Sequence, residues 1–193
     1  MELHELPSLQ EIYTELRKGR HISIEDGAIF SALESHYDDF QNLCTGLGLK
    51  LVRHERGFYY LEDDSAPKAA QKIFLFMAIL LEHLDDKGFN SNQDLLAIRI
   101  DPVRLPHLQH EKYRAVMAEV GVDKEEGVVG VLKSMARYGL AEPDPDQAGI
   151  WRLRTGAYRI LDVVNMAGRA VGPNASNDTE GLVPVPATDE AAL

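Results

Sequence analysis

The feature that most constrains the fold is a predicted helix followed by a β-hairpin, a unit that occurs twice in this 193-residue chain. The first hairpin pairs residues 49–54 with 58–62 across a turn at Glu55-Arg56-Gly57, and both segments are rich in residues that favour strands. The second hairpin follows an amphipathic helix and pairs the chain near Leu140 with residues 150–155. Two helix-and-hairpin units predict tandem winged-helix domains with short hairpin wings in a mainly helical α+β protein, an architecture that binds nucleic acid or other proteins.

The helices and turns divide the chain into three regions. Residues 1–66 are predicted to form an N-terminal winged helix and residues 67–167 a C-terminal one. The segment 73–81 is apolar on every side of its predicted helix, which either a core shared between two domains or a dimer interface explains. Residues 168–193 are dominated by Gly, Pro, Ala and Asn, carry net negative charge, and are predicted to form a disordered tail.

Several helix boundaries can be predicted from local signals. We expect one helix over residues 25–44 and another over 107–120. A further helix over 123–138 is predicted to begin with a capping box at Asp123. It is predicted to end in a Schellman motif at Gly139.

Composition limits the classes of function. A net charge of −11 argues against a free-standing, non-specific DNA-binding protein, because attraction to phosphate supplies most of that affinity. The single cysteine, Cys44, is predicted to be a buried thiol, and one cysteine cannot form an intrachain disulfide. The longest apolar run is nine residues, whereas a membrane helix needs roughly 20. No signal peptide is recognisable, so we expect a cytoplasmic protein that does not bind membranes.

The chain shows no familiar catalytic motif. It lacks a P-loop, a nucleophile elbow and a His-Glu-x-x-His sequence. His107 and His110 would lie one turn apart on a helix, but a metal site needs a third ligand, and we expect both rings to be exposed to solvent. The sequence therefore predicts no catalytic residue, no metal site and no cofactor.

Basic residues of the second unit are candidates for contact with DNA. Some belong to the predicted recognition helix, and the others alternate with apolar residues on the wing, so that they share one strand face. Such a helix and wing can meet a phosphate backbone, although a solvated charged face is the alternative, since Glu125 and Glu126 dilute the charge. We expect contact only alongside a partner that adds positive charge. The DNA-contact candidates are Lys124, Lys133, Arg137, Arg152 and Arg154.

A second set of residues is predicted to form a protein interface. Basic residues cluster where the first strand begins, although they could instead complement the dipole of the preceding helix. Aromatic residues alternate along the first wing, so at least one ring should be exposed, and exposed aromatic rings are enriched at interfaces. The interface candidates are Arg20, His21, Phe58, Tyr59, Tyr60 and Phe76.

Three segments resemble, at matching spacing, the MukE/MksE family of accessory subunits of bacterial MukBEF-type condensins. They are Leu16-Arg17-Lys18-Gly19-Arg20-His21-Ile22, Asp39-Phe40 and Gly57-Phe58-Tyr59-Tyr60-Leu61. Weaker likeness at residues 137–140 and 151–154 extends the resemblance over roughly residues 9–167.

The resemblance implies a homodimeric, non-catalytic tandem winged-helix protein that binds a kleisin subunit of the MukF or MksF kind. Through that complex it would join an SMC ATPase of the MukB or MksB kind and meet DNA. The family's DNA-facing helix and wing correspond in position to Lys133, Arg137, Arg152 and Arg154, although the MukE helix is richer in arginine. The shorter chain is similar to the MksE branch, which includes anti-plasmid systems that carry a nuclease subunit.

We therefore expect a nucleoid-associated subunit of an SMC–kleisin complex that supports chromosome organisation and segregation or plasmid defence. The alternative is a free-standing winged-helix transcription regulator. That class needs a basic recognition helix and an operator, and the pair Glu125-Glu126 at the start of the helix argues against it.

Overall fold

The computed structural model describes residues 6–62, here called the N-terminal half, and residues 68–170, the C-terminal half. The predicted boundary between residues 66 and 67 lies outside these ranges, as does the predicted disordered tail from residue 171 onward. The domain boundaries therefore stay predictions. The last helix continues to Ala170, beyond the predicted end at residue 167.

The N-terminal half has three helices and a three-stranded antiparallel sheet. Strand β1 pairs with β3, which also pairs with β2, so the hairpin carries the first strand on its free edge. A 3₁₀ turn, Ile24–Asp26, follows β1 and is closed by a capping box between Ser23 and Asp26. The elements are α1 (Leu9–Arg17), β1 (Ile22–Ser23), α2 (Ala28–Ser35), α3 (Tyr37–Gly46), β2 (Lys50–His54) and β3 (Phe58–Glu62).

The C-terminal half repeats this arrangement, with its strands in the order β4-β6-β5. Short 3₁₀ turns at Leu95–Ala97 and Thr155–Ala157 precede β4 and the last helix. The elements are α4 (Lys68–Asp86), α5 (Ser91–Asp94), β4 (Arg99–Ile100), α6 (Pro106–Gln109), α7 (Glu111–Glu119), α8 (Glu125–Arg137), β5 (Ala141–Pro143), β6 (Trp151–Leu153) and α9 (Tyr158–Ala170). The prediction of a mainly helical α+β fold is confirmed, and the strand order in both sheets is consistent with two winged-helix units.

Two of the predicted helices are broken. The helix expected over residues 25–44 starts as the 3₁₀ turn and is interrupted at His36, whose φ of −123° and ψ of 29° are not helical. The helix expected over 107–120 is interrupted at His110, which has an extended backbone with ψ of 125°. Both breaks occur at residues that carry no strong local stop signal, so packing against neighbouring elements decides them.

The two ends of α8 differ in how well local signals predicted them. The prediction of a capping box at Asp123 is wrong, because the N-cap is Lys124 and its side chain makes no capping hydrogen bond. The Schellman motif is confirmed, since Gly139 has φ of +71° and the Leu140 N–H donates a 2.9 Å hydrogen bond to the carbonyl oxygen of Met135.

Helix α4 is the centre of the larger of two hydrophobic clusters. Ile73, Phe76, Met77 and Leu80 are buried by other elements of the same chain, and Phe58 of the N-terminal half joins this cluster. The all-round apolar character of the segment 73–81 is thus accounted for by a core that the two halves share.

The smaller cluster is the core of the N-terminal half. It joins α1, α2, α3 and the inner face of the first sheet, with Ile12, Leu33 and Tyr59 among its buried members. Cys44 is buried in this cluster, as predicted, and burial raises the pKa of its thiol. A buried thiol with a raised pKa is a packing residue rather than a nucleophile.

Candidate interaction surfaces and the junction between the two halves

The backbones of the two halves meet at His21, directly before β1. Its N–H donates a hydrogen bond of 2.9 Å to the carbonyl oxygen of Tyr138, and its ring Nδ1 donates one of 3.0 Å to the same oxygen. The other ring nitrogen, Nε2, accepts a hydrogen bond of 3.2 Å from Arg159 Nη1. Because a neutral imidazole has one donor and one acceptor, these partners select the neutral ring protonated at Nδ1. We call this contact between the halves, centred on His21, the junction.

Two glycines allow the backbones to come this close. A Cβ atom on Gly139 would lie 2.3 Å from the carbonyl oxygen of His21. A Cβ atom on Gly156 would lie 2.9 Å from the Cβ atom of His21. Local sequence signals identified Gly139 only as the end of a helix, because the partner backbone lies far away in the chain.

A buried ion pair lies beside this backbone contact. Arg154 Nη2 is 2.7 Å from Asp26 Oδ2, and the two side chains are only 5% and 6% exposed. Asp26 also accepts hydrogen bonds from Arg20 Nη2 at 2.8 Å and from the Ser23 N–H at 2.9 Å. Burial alone would raise the pKa of Asp26, but the hydrogen bonds from Arg154, Ser23 and Arg20 hold it below its ordinary value.

The junction contains further contacts that sequence reasoning missed. Glu25 Oε1 accepts hydrogen bonds from the backbone N–H of Thr155 at 2.9 Å and from its hydroxyl at 2.8 Å. His54 Nε2 lies 3.0 Å from Asp162 Oδ2. Each pair joins residues more than a hundred positions apart, so no local pattern could indicate them.

The predicted protein-interface residues lie inside the chain or at the junction. Phe58, Tyr59 and Phe76 are almost completely buried in the two cores. Tyr60 is half-buried, and the Arg159 guanidinium lies 3.9 Å from the centroid of its ring. Arg20 and His21 are committed to the junction as described. Of this set, His21, Phe58 and Tyr60 contact the other half of the same chain.

The predicted DNA-contact residues divide into two groups. Lys133 and Arg137 on α8 and Lys124 at its N-cap are exposed, and none of their side chains has a hydrogen bond or ion pair within the described residues. Arg152 is partly exposed on the second wing and forms an ion pair with Glu142. Arg154 does not share that exposed face, because its side chain points into the junction. The structure therefore brings four of the five candidates to the surface.

Acidic side chains neutralise the arginines of the second wing. Glu142 lies directly across the strands from Arg152, and Arg99 lies on the other side of Arg152 in the same row. Arg99 Nε is 2.6 Å from Asp144 Oδ2. The arginines of the wing are therefore paired, whereas Lys133 and Arg137 on α8 have no ion pair within the described residues.

Two histidines are buried in neutral form. Burial, together with the nearby Arg159 charge, lowers the pKa of His21 to about 4. His107 Nε2 donates a 2.7 Å hydrogen bond to the carbonyl oxygen of Phe76, and burial lowers the pKa of His107 to about 4. The expectation that His107 is exposed is wrong, because its ring stacks on Phe76 in the core. His110 is exposed, as predicted.

We expect stability to fall as the pH is lowered from about 6.5 to about 4. In this window the unfolded chain binds protons at His21 and His107 while the folded chain does not, so each ring contributes a loss of about 3 kcal/mol. Urea unfolding at several pH values measures the loss, and NMR titration of the folded protein assigns it to each ring. Titration of either ring near pH 6.5 in the folded protein would contradict the prediction.

Within residues 6–62 and 68–170, no group of three His, Cys, Asp or Glu side chains could hold a metal ion. In the same part of the chain, no helix has the length and apolarity to cross a bilayer.

In this mainly helical α+β protein the two halves, whose strand orders are consistent with winged-helix units, meet at a buried junction, and Lys133 and Arg137 are exposed on α8. A family model, described as condensin complex protein MksE, matches residues 7–165 of the chain. The chain therefore belongs to the MksE family and is an accessory protein of a condensin complex. No curated protein matches it.

Proposed function

We propose that this condensin protein is a non-catalytic, cytoplasmic and nucleoid-associated subunit that forms a homodimer and binds a kleisin of the MksF or MukF kind. Through the kleisin it joins an SMC ATPase of the MksB or MukB kind and meets DNA within the complex. The family match over residues 7–165 supports this role. The complex serves either chromosome organisation and segregation or plasmid defence.

The difference in charge between the two halves carries the proposal. Helices α2 and α3, which stand where a winged helix presents DNA-reading residues, contain Glu34, Asp38 and Asp39 and no lysine or arginine. The corresponding helix of the C-terminal half, α8, has Glu125 and Glu126 in its first turn but carries the unpaired Lys133 and Arg137 toward its end. Because phosphate attracts cations and repels carboxylates, the DNA belongs on the C-terminal half. The N-terminal half is left for protein contacts.

The proposed DNA contact needs the assembled complex. A chain with a net charge of −11 repels the phosphate backbone at long range, so a few cations on α8 contribute only where partner subunits hold the DNA close. Binding by the isolated protein is accordingly expected to be weak.

We expect the double substitution K133E/R137E to lower the affinity of the reconstituted complex for duplex DNA about tenfold and to reduce its salt dependence. Retention of the kleisin and the ATPase, measured by gel filtration, should be unchanged. The DNA affinity of the single variant K133E is compared with that of K87E, a control for charge reversal at an exposed cation away from α8, at the end of α4. Loss of the kleisin from the complex, or unchanged affinity for DNA, would contradict the assignment of DNA to the C-terminal half and of protein contacts to the N-terminal half.

A tagged pull-down from native lysate, analysed by mass spectrometry, separates this function from its alternatives. Recovery of a kleisin and a large coiled-coil ATPase supports the condensin role, and a nuclease subunit beside them indicates plasmid defence. Recovery of DNA of one defined sequence, without these proteins, would point instead to a free-standing transcription regulator.

A further inference from the structure

Glu142 on β5 lies between two arginines that have different surroundings. Its Oε1 accepts a 2.7 Å hydrogen bond from Nε of Arg152, which is directly opposite on β6. Its other oxygen, Oε2, lies 3.6 Å from Nε of Arg154. One carboxylate therefore stands between a partly exposed arginine of the wing and a buried arginine of the junction.

The buried arginine has one donor unused. Arg154 Nη2 binds Asp26, but Arg154 Nε is buried and has no hydrogen-bond partner in the part of the chain that the structure describes. Its separation from Glu142 Oε2 exceeds the length of a hydrogen bond. Because a buried donor without a partner is unfavourable, a small shift of Glu142 toward Arg154 would stabilise the junction.

The exposed arginine, Arg152, already has a partner. The side chain of Arg152 is 36% exposed on the wing, and its guanidinium is already bound by Glu142. A phosphate group is a strong bidentate partner for a guanidinium, so a DNA backbone at this wing competes with Glu142 for Arg152.

We propose that Glu142 restrains phosphate contact by Arg152 and couples that contact to the junction. When a DNA phosphate binds Arg152, the released Glu142 turns to Arg154 Nε and tightens the packing of the two halves. By thermodynamic linkage, tighter packing of the halves favours phosphate binding to the same extent. This inference rests on the proposed contact between the C-terminal half and DNA.

Duplex affinity of the reconstituted complex tests the restraint. We expect E142Q to bind duplex about two- to fivefold more tightly, the range expected for release of an exposed ion pair. D146N removes one negative charge from the same wing, at an exposed carboxylate that attracts Arg152 without a hydrogen bond to it, and should give a smaller gain. In an R152Q background the gain from E142Q should disappear.

Hydrogen exchange tests the coupling. The His21 N–H crosses the junction to Tyr138, so its exchange should slow when duplex binds the wild-type complex and should change less in E142Q. A gain from E142Q that equals that of D146N, or that persists in R152Q, would overturn the inference while leaving the proposed DNA contact intact. If no form of the complex, wild type included, binds duplex, the proposed DNA contact itself fails.

Discussion

The substitution Gly139→Ala is expected to destabilise the protein by at least about 3 kcal/mol. Two effects add. The backbone at Gly139 has φ of +71°, where an L-residue is strained, and the new Cβ atom would lie 2.3 Å from the carbonyl oxygen of His21. The obstacle is backbone rather than a flexible side chain, so relief requires the halves to move apart. Urea unfolding measures the loss.

Gly149→Ala is the matched control for this effect. Gly149 has φ of +81°, but nothing lies within 4 Å of a Cβ atom built there. Its substitution should therefore cost only the backbone strain, about 1 kcal/mol. Equal losses for the two variants would mean that the halves are not held at the observed distance.

The second large effect is expected from Arg154→Met, which should cost about 3 to 5 kcal/mol. The substitution keeps an unbranched side chain but leaves the buried Asp26 carboxylate with Arg20 as its one remaining cation. Arg152→Met removes a more exposed ion pair two residues earlier in the chain and should cost about 0 to 1 kcal/mol. Similar losses for the two variants would contradict the junction role of Arg154.

The pH dependence of the Arg154→Met variant provides an independent check. In the wild type, the pKa of Asp26 lies below its ordinary value, so the stabilisation from its charged form is present above that ordinary value and is lost as the pH falls through the folded-state pKa. Without the Arg154 hydrogen bond the folded-state pKa of Asp26 rises, so this loss should be smaller and complete at higher pH. The double variant D26N/R154M removes the isolated charge and should recover part of the stability.

Several parts of this fold can be read from local sequence. The hairpin over residues 49–62 is predictable because strand-forming residues flank a short glycine turn, and the pairing of β2 with β3 agrees. The end of α8 is predictable because Gly139 tolerates the left-handed conformation that closes a Schellman motif. The resemblance over residues 16–22 and 57–61 led to the family that the matched model supports.

The breaks at His36 and His110 were not predictable, since neither residue is a strong helix terminator and the turns depend on what the flanking helices pack against. The burial of Arg154 was not predictable from local sequence either. An arginine on a short strand beside a hairpin looks like a surface residue, and only the approach of Asp26 shows that Arg154 is buried.

By itself, the sequence determined the local elements, the family and the uneven distribution of charge, because each depends on residue type and short-range spacing. Only the tertiary structure decided which charges and rings are free to meet a partner. His21 and Tyr138 are 117 positions apart, and Arg154 and Ser23 are 131 positions apart. Contacts over such separations arise when two independently predictable halves pack together, and burial at that contact turns apparent surface residues into structural ones.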